Sequence, residues 1–488
     1  MSRDILVLLG TQLFAPEHLA SHRRAELVMV EDAELCRRLS FHQQKLAFVL
    51  AAMRDHRDEL IAAGMRVSYF ELSAATTLEA AVRERVQKIG AGRVLHFDSD
   101  DVHSQRMLRN LAADLGVRCE AVPSPMFLTS PDDVDQYFAR KRPRMSDFYK
   151  QQRRNLNILM HNGEPVGGRW SFDVDNRKRV PASAVLPRQT PVARTVNADN
   201  VIELVGREFP DHPGRADGLW LPTSRADARN WLDEFLTERL TGFGTYEDAI
   251  TTRSHIVHHS ALAPLLNNGL LTPAEVVERA QLHDAPLNDL EGFLRQIIGW
   301  REFIRGIYRR YGASMRTRNV WNAERRLGPA WFTGDTGVEP LDHALRGAVK
   351  WGWNHHIERL MVIANMMNLC GIAPADVYRF FMTHYVDAYD WVMVPNVFGM
   401  GLTSDGGVFA SKPYICGSNY LRKMSDHAPG DWCSVVDGLF WRFVLQHRDC
   451  LVKNPRMSML VSTANRLPVK RKRLLFAAAE EFLETHTF

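Results

Sequence analysis

The chain has 488 residues, 45% hydrophobic and 24% charged, which is the make-up of a soluble globular protein with a large core and two or three domains. Its 61 basic and 57 acidic residues leave a net charge of +4, too mild to mark a nucleic-acid binder by charge alone. No apolar run is long enough for a membrane helix, the first residues lack a signal-peptide layout, and the 6 cysteines include no Cys-x-x-Cys. A cytoplasmic protein with reduced thiols is therefore expected.

Residues 5–10 form a short apolar run of the kind a buried strand gives. Residues 27–30 form another, followed by acidic Glu31 and Asp32 and by helical spacing from 44 to 60. Residues 66–70, 93–97 and 118–122 complete a strand series with helical stretches between. Alternating β and α units predict a doubly wound parallel sheet, an α/β domain over residues 1–130. No Gly-x-Gly-x-x-Gly accompanies it, so a standard dinucleotide fold is not supported.

Near residue 130 the pattern changes. Arg140-Lys141-Arg142-Pro143-Arg144, Gln151-Gln152-Arg153-Arg154 and Arg177-Lys178-Arg179 are basic, and Pro181, Pro187 and Pro191 favour extended chain. Residues 131–222 read as a long linker whose charge runs suit either a solvated surface or a phosphate-contacting flank. From Thr223 onward the signal is helical. Ala228, Trp231, Leu232, Phe235 and Leu236 make an apolar stripe with Thr223 or Ser224 as N-cap, and Thr272-Pro273-Ala274-Glu275 resembles a capping box. Residues 223–488 read as an all-α domain, with no internal repeat.

One segment of that domain stands out. A helix entered at Asn354 places His356, Arg359, Leu360 and Ile363 at i, i+3, i+4 and i+7, on one face. A buried histidine and arginine need partners, and Asp387 downstream is the obvious one for Arg359. An Arg–Asp pair beside an ionisable histidine suits an anionic or polar cofactor plus a proton donor. By itself the segment is read as a satisfied core histidine and a structural ion pair.

Several stretches, in order along almost the whole chain, resemble the cryptochrome/photolyase family. Within it they are most similar to the bacterial branch that includes iron–sulfur cryptochromes and (6-4) photolyases. They are Gly10-Thr11-Gln12-Leu13, Met145-Ser146-Asp147-Phe148-Tyr149, residues 163–173 with Asp175-Asn176-Arg177-Lys178, Tyr246-Glu247-Asp248-Ala249, and His259-Ser260-Ala261-Leu262-Ala263-Pro264. Residues 291–302, the 355–359 helix, Pro395-Asn396 with Gly399-Met400, and Ser411-Lys412-Pro413-Tyr414 to Met424-Ser425-Asp426 follow.

The resemblance implies FAD bound in the helical domain. His259, Ser260 and Leu262 match the turn that meets the flavin diphosphate, which is physically sensible because backbone N–H groups at a helix start bind phosphates. Tyr246, Arg359 and Asp387 match further FAD contacts, and Met393 the position facing flavin N5. Trp300, Arg301 and Tyr414 match the pocket that receives damaged bases. His356, with His355 beside it, matches the histidine that gives a proton to a (6-4) photoproduct flipped out of UV-damaged DNA. The expected activity is that of a (6-4) DNA photolyase, a lyase driven by blue light. A cryptochrome photoreceptor without repair activity is the alternative, and a monomer is expected.

The sequence also departs from the branch. Of the four cluster cysteines only Cys433 is matched and Pro340 stands at another ligand position, so no iron–sulfur cluster is expected. Phe332, Phe380 and Phe381 occupy positions where relatives carry Trp or Tyr, so the usual electron-hopping chain looks broken. Trp331, Trp353, Trp391 and Trp441 are the candidates for a substitute route, Trp391 the best placed because it lies four residues from Asp387. Met393 cannot donate a hydrogen bond. The branch's antenna pigment, 6,7-dimethyl-8-ribityllumazine, would lie near an acidic residue after the second strand, for which Glu31 and Glu34 are candidates.

Overall fold

The strand-like runs become one sheet in the computed structural model, which describes residues 4–139 and 143–488. The strands are β1 (Asp4–Leu8), β2 (Glu26–Val30), β3 (Val67–Phe70), β4 (Arg93–Phe97) and β5 (Arg118–Val122). All pairings are parallel in the order β3-β2-β1-β4-β5, with Val7 facing Val28 on one side and His96 on the other.

Side chains alternate across a strand, and the two faces bury different sets. Ile5, Val7, Val28, Val30 and Val94 pack under helices Leu78–Ile89 and Val102–Asp114. Leu6, Leu8, Leu27, Met29, Leu95 and Phe97 pack against helix Gln43–Ala62 and join the core of the helical half. Both faces are covered, as a parallel sheet requires.

The stretch 131–222 contains helices Pro131–Phe138, Met145–Leu156 and Val196–Glu208, and residues 176–195 run without helix or strand. Within the first basic run, residues 140–142 lie outside the described residues. Arg153 is fully buried, donating to the carbonyls of Ile158 and Trp170 at 3.2 Å and to that of Leu159. Arg154 lies 4.6 Å from the ring centre of Trp170. That basic run is thus partly a packing device.

Helix Arg225–Glu234 starts at Ser224, whose hydroxyl accepts from the Asp227 N–H at 3.2 Å. Thr272 does the same for Glu275 at 3.3 Å, but the Glu275 carboxylate turns to Arg229 at 2.7 Å and does not close the box. Four short π-type stretches interrupt the helices, at Phe235–Arg239, Arg295–Arg301, Glu358–Ala364 and Pro395–Gly401. Such wider turns often mark functional sites. Among the described residues no helix is long and apolar enough to cross a membrane.

Buried polar clamps join the halves. Arg225 reaches Glu59 at 2.8 Å, the Leu13 carbonyl at 2.7 Å and the Leu270 carbonyl at 2.6 Å. Arg305 meets Asp100 at 2.6 Å, and Glu302 accepts from the N–H groups of Leu128 and Thr129 at 2.8 and 3.3 Å.

At the C-terminus, helices Trp432–Gln446 and Val469–His486 approach so closely that a Cβ on Gly438 would lie 2.0 Å from the Leu475 carbonyl oxygen. Backbone cannot yield as a side chain does. Gly438→Ala is expected to lower the chemical-denaturation midpoint, at a cost of about 1–3 kcal/mol. Gly206→Ala, on an exposed helical site with nothing within 4 Å, should leave it unchanged or raise it slightly.

Candidate functional site

Two spaces carry the chemistry. The first is a cavity of about 750 Å³ between the sheet and the helical half. It lies beyond the C-terminal ends of β1 and β4, where the strand order reverses, which is the usual ligand position in an open parallel sheet. Gln12, Lys45, Asp100, Phe127, Arg305 and Trp391 are among its walls. Glu31, one of the two acids expected here, lines this cavity with its carboxylate held by neighbours. Its carboxylate accepts from Arg54 at 2.7 and 3.0 Å, from Tyr69 at 2.6 Å and from the Leu72 N–H at 2.7 Å. Glu34 is exposed on the surface. Lys45 is the unexpected wall residue. It donates to the Ala388 carbonyl at 2.5 Å, and burial lowers it to about 7, opposed by the charge of Asp387.

The second space is built around Arg359 and Asp387, paired at 2.8 Å as the sequence suggested. The Arg359 Nε donates to the Asn354 carbonyl at 2.7 Å, and its guanidinium carbon lies 4.1 Å from the Tyr385 ring centre. Tyr385 donates to the Asn354 side chain at 2.8 Å. Asn267 donates to the Asp387 carbonyl at 3.0 Å. His356 is exposed by surface area, yet burial lowers it to about 4, with Arg359, Arg177 and His259 acting in the same direction. High exposure and deep enclosure agree if the ring faces a cleft inside the protein. Arg177 is itself 51% exposed, which fits a cleft open to solvent on that side.

His259 stacks on His355 with ring centres 4.4 Å apart. Its two ring nitrogens lie 3.0 Å from the carbonyls of Ile256 and Glu247, so a neutral ring can satisfy only one of them. A charged ring would donate to both, and a nearby anion would favour that form. Val257 and Ala261, on either side, have φ of 44° and 51°, a conformation that non-glycine residues adopt rarely. The Ser260 carbonyl accepts from Trp231 at 2.9 Å, and Leu262 is buried at the start of helix Ala263–Asn268. Tyr246 is half-buried, its ring 5.3 Å from that of His258. Met393 is buried in helix Asp390–Val394.

Trp300 and Arg301 do not share a surface. Trp300 is half-buried beside Phe409 at 6.1 Å. Arg301 is buried, donates to the Met126 carbonyl at 2.7 Å and packs on Phe127 and Trp391, beside the 750 Å³ cavity. Tyr414 is half-buried on a segment held from outside, where Asn454 and Arg456 reach Ser411 at 2.9 and 3.0 Å.

Sequence reasoning missed a charge cluster beside His356. Arg177 pairs with Asp173 at 2.8 Å and approaches Glu247 and Asp248 at 3.6 Å, while Arg295 meets Asp173 at 2.8 Å. Burial raises Glu247 to about 7, with Arg295 opposing. It also missed Glu358, two residues after His356 and buried. Both lay inside quoted motifs, but spacing alone could not show their burial.

The three phenylalanines form a ladder. Phe332, 45% exposed, lies 6.1 Å from Phe380; Phe380 is 5.8 Å from Phe381; Phe381 stacks on Tyr385 at 5.4 Å; and Tyr385 covers Arg359. Trp331 is fully buried against the last helix, donating to the His486 carbonyl at 3.0 Å. Trp391 contacts Phe127 at 5.0 Å on the wall of the large cavity. Trp353 joins other tryptophans, 6.1 Å from Trp220, which is 5.7 Å from Trp231. It also lies 6.2 Å from His259.

A family model described as deoxyribodipyrimidine photo-lyase-related protein matches residues 6–220. A (6-4) photolyase of Agrobacterium fabrum is 31% identical over 502 residues, covering 98% of this chain and 99% of that protein. The chain belongs to the cryptochrome/photolyase family. The fold agrees with the crystal structure of a Synechocystis cryptochrome, at a TM-score of 0.59 and 14% identity over 99% of both chains. It also agrees with an archaeal photolyase from Sulfolobus tokodaii described with two FAD molecules, at a TM-score of 0.56 and 15% identity over 98% of this chain and 100% of that one.

The phenylalanine ladder has the contacts of a hopping route but rings that are hard to oxidise. Replacing Phe332, Phe380 and Phe381 together by Trp is expected to speed photoreduction of bound flavin at least tenfold, measured by loss of the oxidised absorbance under blue light. Trp353→Phe should slow the parent's residual photoreduction more than Trp391→Phe.

Proposed function

We propose that this chain is an FAD-dependent, blue-light-driven DNA repair enzyme acting on (6-4) photoproducts. The observation that carries the reading is His356, open to a cleft deep in the protein and grouped with Arg359, Arg177 and His259. The cleft is bordered by charged groups of both signs, Arg359 paired with Asp387 and Arg177 with Asp173, which suits a ligand bearing phosphates and a polar ring system. The buried Nδ1 atoms of His258 and His355 add hydrogen-bonding groups without partners. These residues fit FAD. His259, Ser260, Leu262 and Tyr246 would hold its diphosphate side, and Arg359 with Asp387 its ring system, beside Met393. Reduced flavin, when bound, supplies the electron for repair.

The protein's own part is to hold and move a proton. An imidazole that is neutral in the open cleft gains a proton once phosphates enter, because they offset Arg359 and Arg177. His356 can then donate from a ring nitrogen to the lesion, with His355 fixing its neighbour on the helix. Trp300 and Tyr414 would flank the flipped bases, while Arg301 supports the wall between the two spaces. UV-damaged DNA is the expected partner. The 750 Å³ cavity suits an antenna pigment such as a ribityllumazine, with Gln12, Lys45 and Glu31 on its wall and Glu34 exposed on the surface. The absence of an iron–sulfur cluster remains part of this reading, since only Cys433 stands at a cluster position. A cryptochrome photoreceptor is the second reading, favoured by the phenylalanine ladder, which leaves electron supply weak.

The test uses chemically reduced, FAD-loaded protein under blue light on defined (6-4) and cyclobutane substrates. Repair of the (6-4) substrate alone is expected. His356→Ala should retain FAD and lose repair by about 10²–10⁴-fold, and His355→Ala should lose less. Because the donor must be protonated, the repair rate should fall as pH rises. Repair by His356→Ala at the parent's rate would dismiss the proton-donor assignment, and no repair by the reduced parent would favour the photoreceptor.

A further inference from the structure

The segment that carries His356 also carries a buried acid. Glu358 is 5% exposed. It accepts from the Asn354 side chain at 3.1 Å and from the His355 backbone N–H. One carboxylate oxygen lies 3.5 Å from His355 Nε2, the other 3.9 Å from His343 Nε2. The His343 side chain, on helix Glu339–Trp351, is 37% exposed. Its ring lies 5.6 Å from that of His427, whose Nδ1 meets Glu339 at 3.1 Å. At the inner end His355 stacks on His259, and its Nδ1 is buried without a partner. Titratable groups therefore follow one another from solvent to the neighbour of His356.

We propose that His343, Glu358 and His355 form a proton path between bulk water and the cleft faced by His356. It rests on the reading of that cleft as the flavin site. A bound duplex would cover the cleft from outside, and this path would keep it in contact with bulk protons.

The steps balance without electron movement. His343 takes a proton from water at Nδ1 and releases one from Nε2 to the nearer Glu358 oxygen. The carboxyl gives a proton from its other oxygen to His355 Nε2. His355 Nδ1, buried without a partner, releases one to His356 or to a water in the cleft once the ring turns. Each relay group gains and loses one proton, the cleft gains one, and tautomer exchange resets the rings. The two spans at Glu358, 3.5 and 3.9 Å, exceed a transferring hydrogen bond by roughly 1 Å or less, which side-chain movement or one bridging water closes.

The charges suit a relay. Burial raises Glu358 to about 7, with the Asn354 and His355 hydrogen bonds and Arg359 opposing, so both its forms are populated near neutral pH. Asn354, His355 and Arg359 face it from its own segment and His343 from the next helix. His343 in turn faces His427, Asp426, Arg346 and Glu339, and burial lowers it. Burial also holds His355 well below the usual histidine range, with His259, His356, Arg359 and His343 adding to the effect. It therefore passes a proton on rather than storing it. A helix-start cap needs only an acceptor, which glutamine also supplies. The Gln variant thus separates capping from relay.

FAD-loaded protein is reduced by a laser flash through an added deazaflavin sensitiser and an organic electron donor, in weak buffer with a pH-indicator dye. Proton uptake accompanying flavin reduction should slow at least tenfold in Glu358→Gln and in His343→Phe, with FAD content and melting temperature like the parent's. Glu358→Asp should recover part of the rate. Independently of flavin, infrared spectra of the parent should show protonated carboxyls titrating near pH 7, and the Glu358→Gln difference spectrum should show the loss of one of them, Glu247 remaining. Uptake in Glu358→Gln at the parent's rate overturns the path, as does a protein that takes up no FAD on reconstitution. A parent that takes up protons normally yet leaves (6-4) photoproducts intact removes the repair reading and leaves the path standing.

Discussion

The buried pair of Arg359 and Asp387 constrains more of the molecule than any other contact. Taking both charges out of water is costly, and each remaining polar atom around them must be matched. The matching groups come from four parts of the chain: Asn354 at the helix start, Tyr385 over the guanidinium, Asn267 on the Asp387 carbonyl, and Lys45 on the next carbonyl, Ala388. Lys45 belongs to helix Gln43–Ala62, which covers the sheet. One ion pair thus ties the segment that carries His356 to the seating of the α/β part on the helices. Removing one partner of such a pair typically costs about 3–5 kcal/mol, because a buried charge is left behind.

The same contacts divide the interior into two spaces. On one side of the 387–391 segment lies the cavity at the strand ends; on the other lies the cleft of His356. Lys45, Tyr389 and Trp391 belong to the partition. Arg301 stiffens it from the helical side by joining Met126, Phe127 and Trp391. In the proposed reading this partition would stand between an antenna pigment in the first space and a flavin in the second.

Much of this was legible in the sequence, for identifiable reasons. Alternating apolar residues such as Ile5, Leu6 and Val7 serve two cores, so the covered sheet follows from pattern. Ser224 and Thr272 cap because their hydroxyls compete for orphan N–H groups. Arg359 found Asp387 because a buried arginine must have a partner. The illegible parts depend on what covers a face. Trp300 and Arg301 are adjacent in sequence, yet their helix is π-type at 295–301, and they point to different neighbours. Glu31 follows a strand end, as an antenna ligand would, but Arg54 and Tyr69 consume its lone pairs. Trp391 was placed by its distance from Asp387, and a five-residue helix turned it to Phe127 instead.

The phenylalanine ladder shows how packing and redox chemistry can part company. Stacking needs only a ring of the right size, so Phe380 on His384 and Phe381 on Tyr385 satisfy the core. Hopping needs a ring that can lose an electron, and phenylalanine does so far less readily than tryptophan or tyrosine. A change from indole to phenyl therefore leaves fold and contacts intact while removing the current. Proton supply obeys a different rule. It needs neighbouring groups whose affinities for a proton are close, and burial brings a carboxyl such as Glu358 up towards histidine. In the proposed reading the helix that starts at His356 would draw on two systems built from different residues, and loss of one would not entail loss of the other.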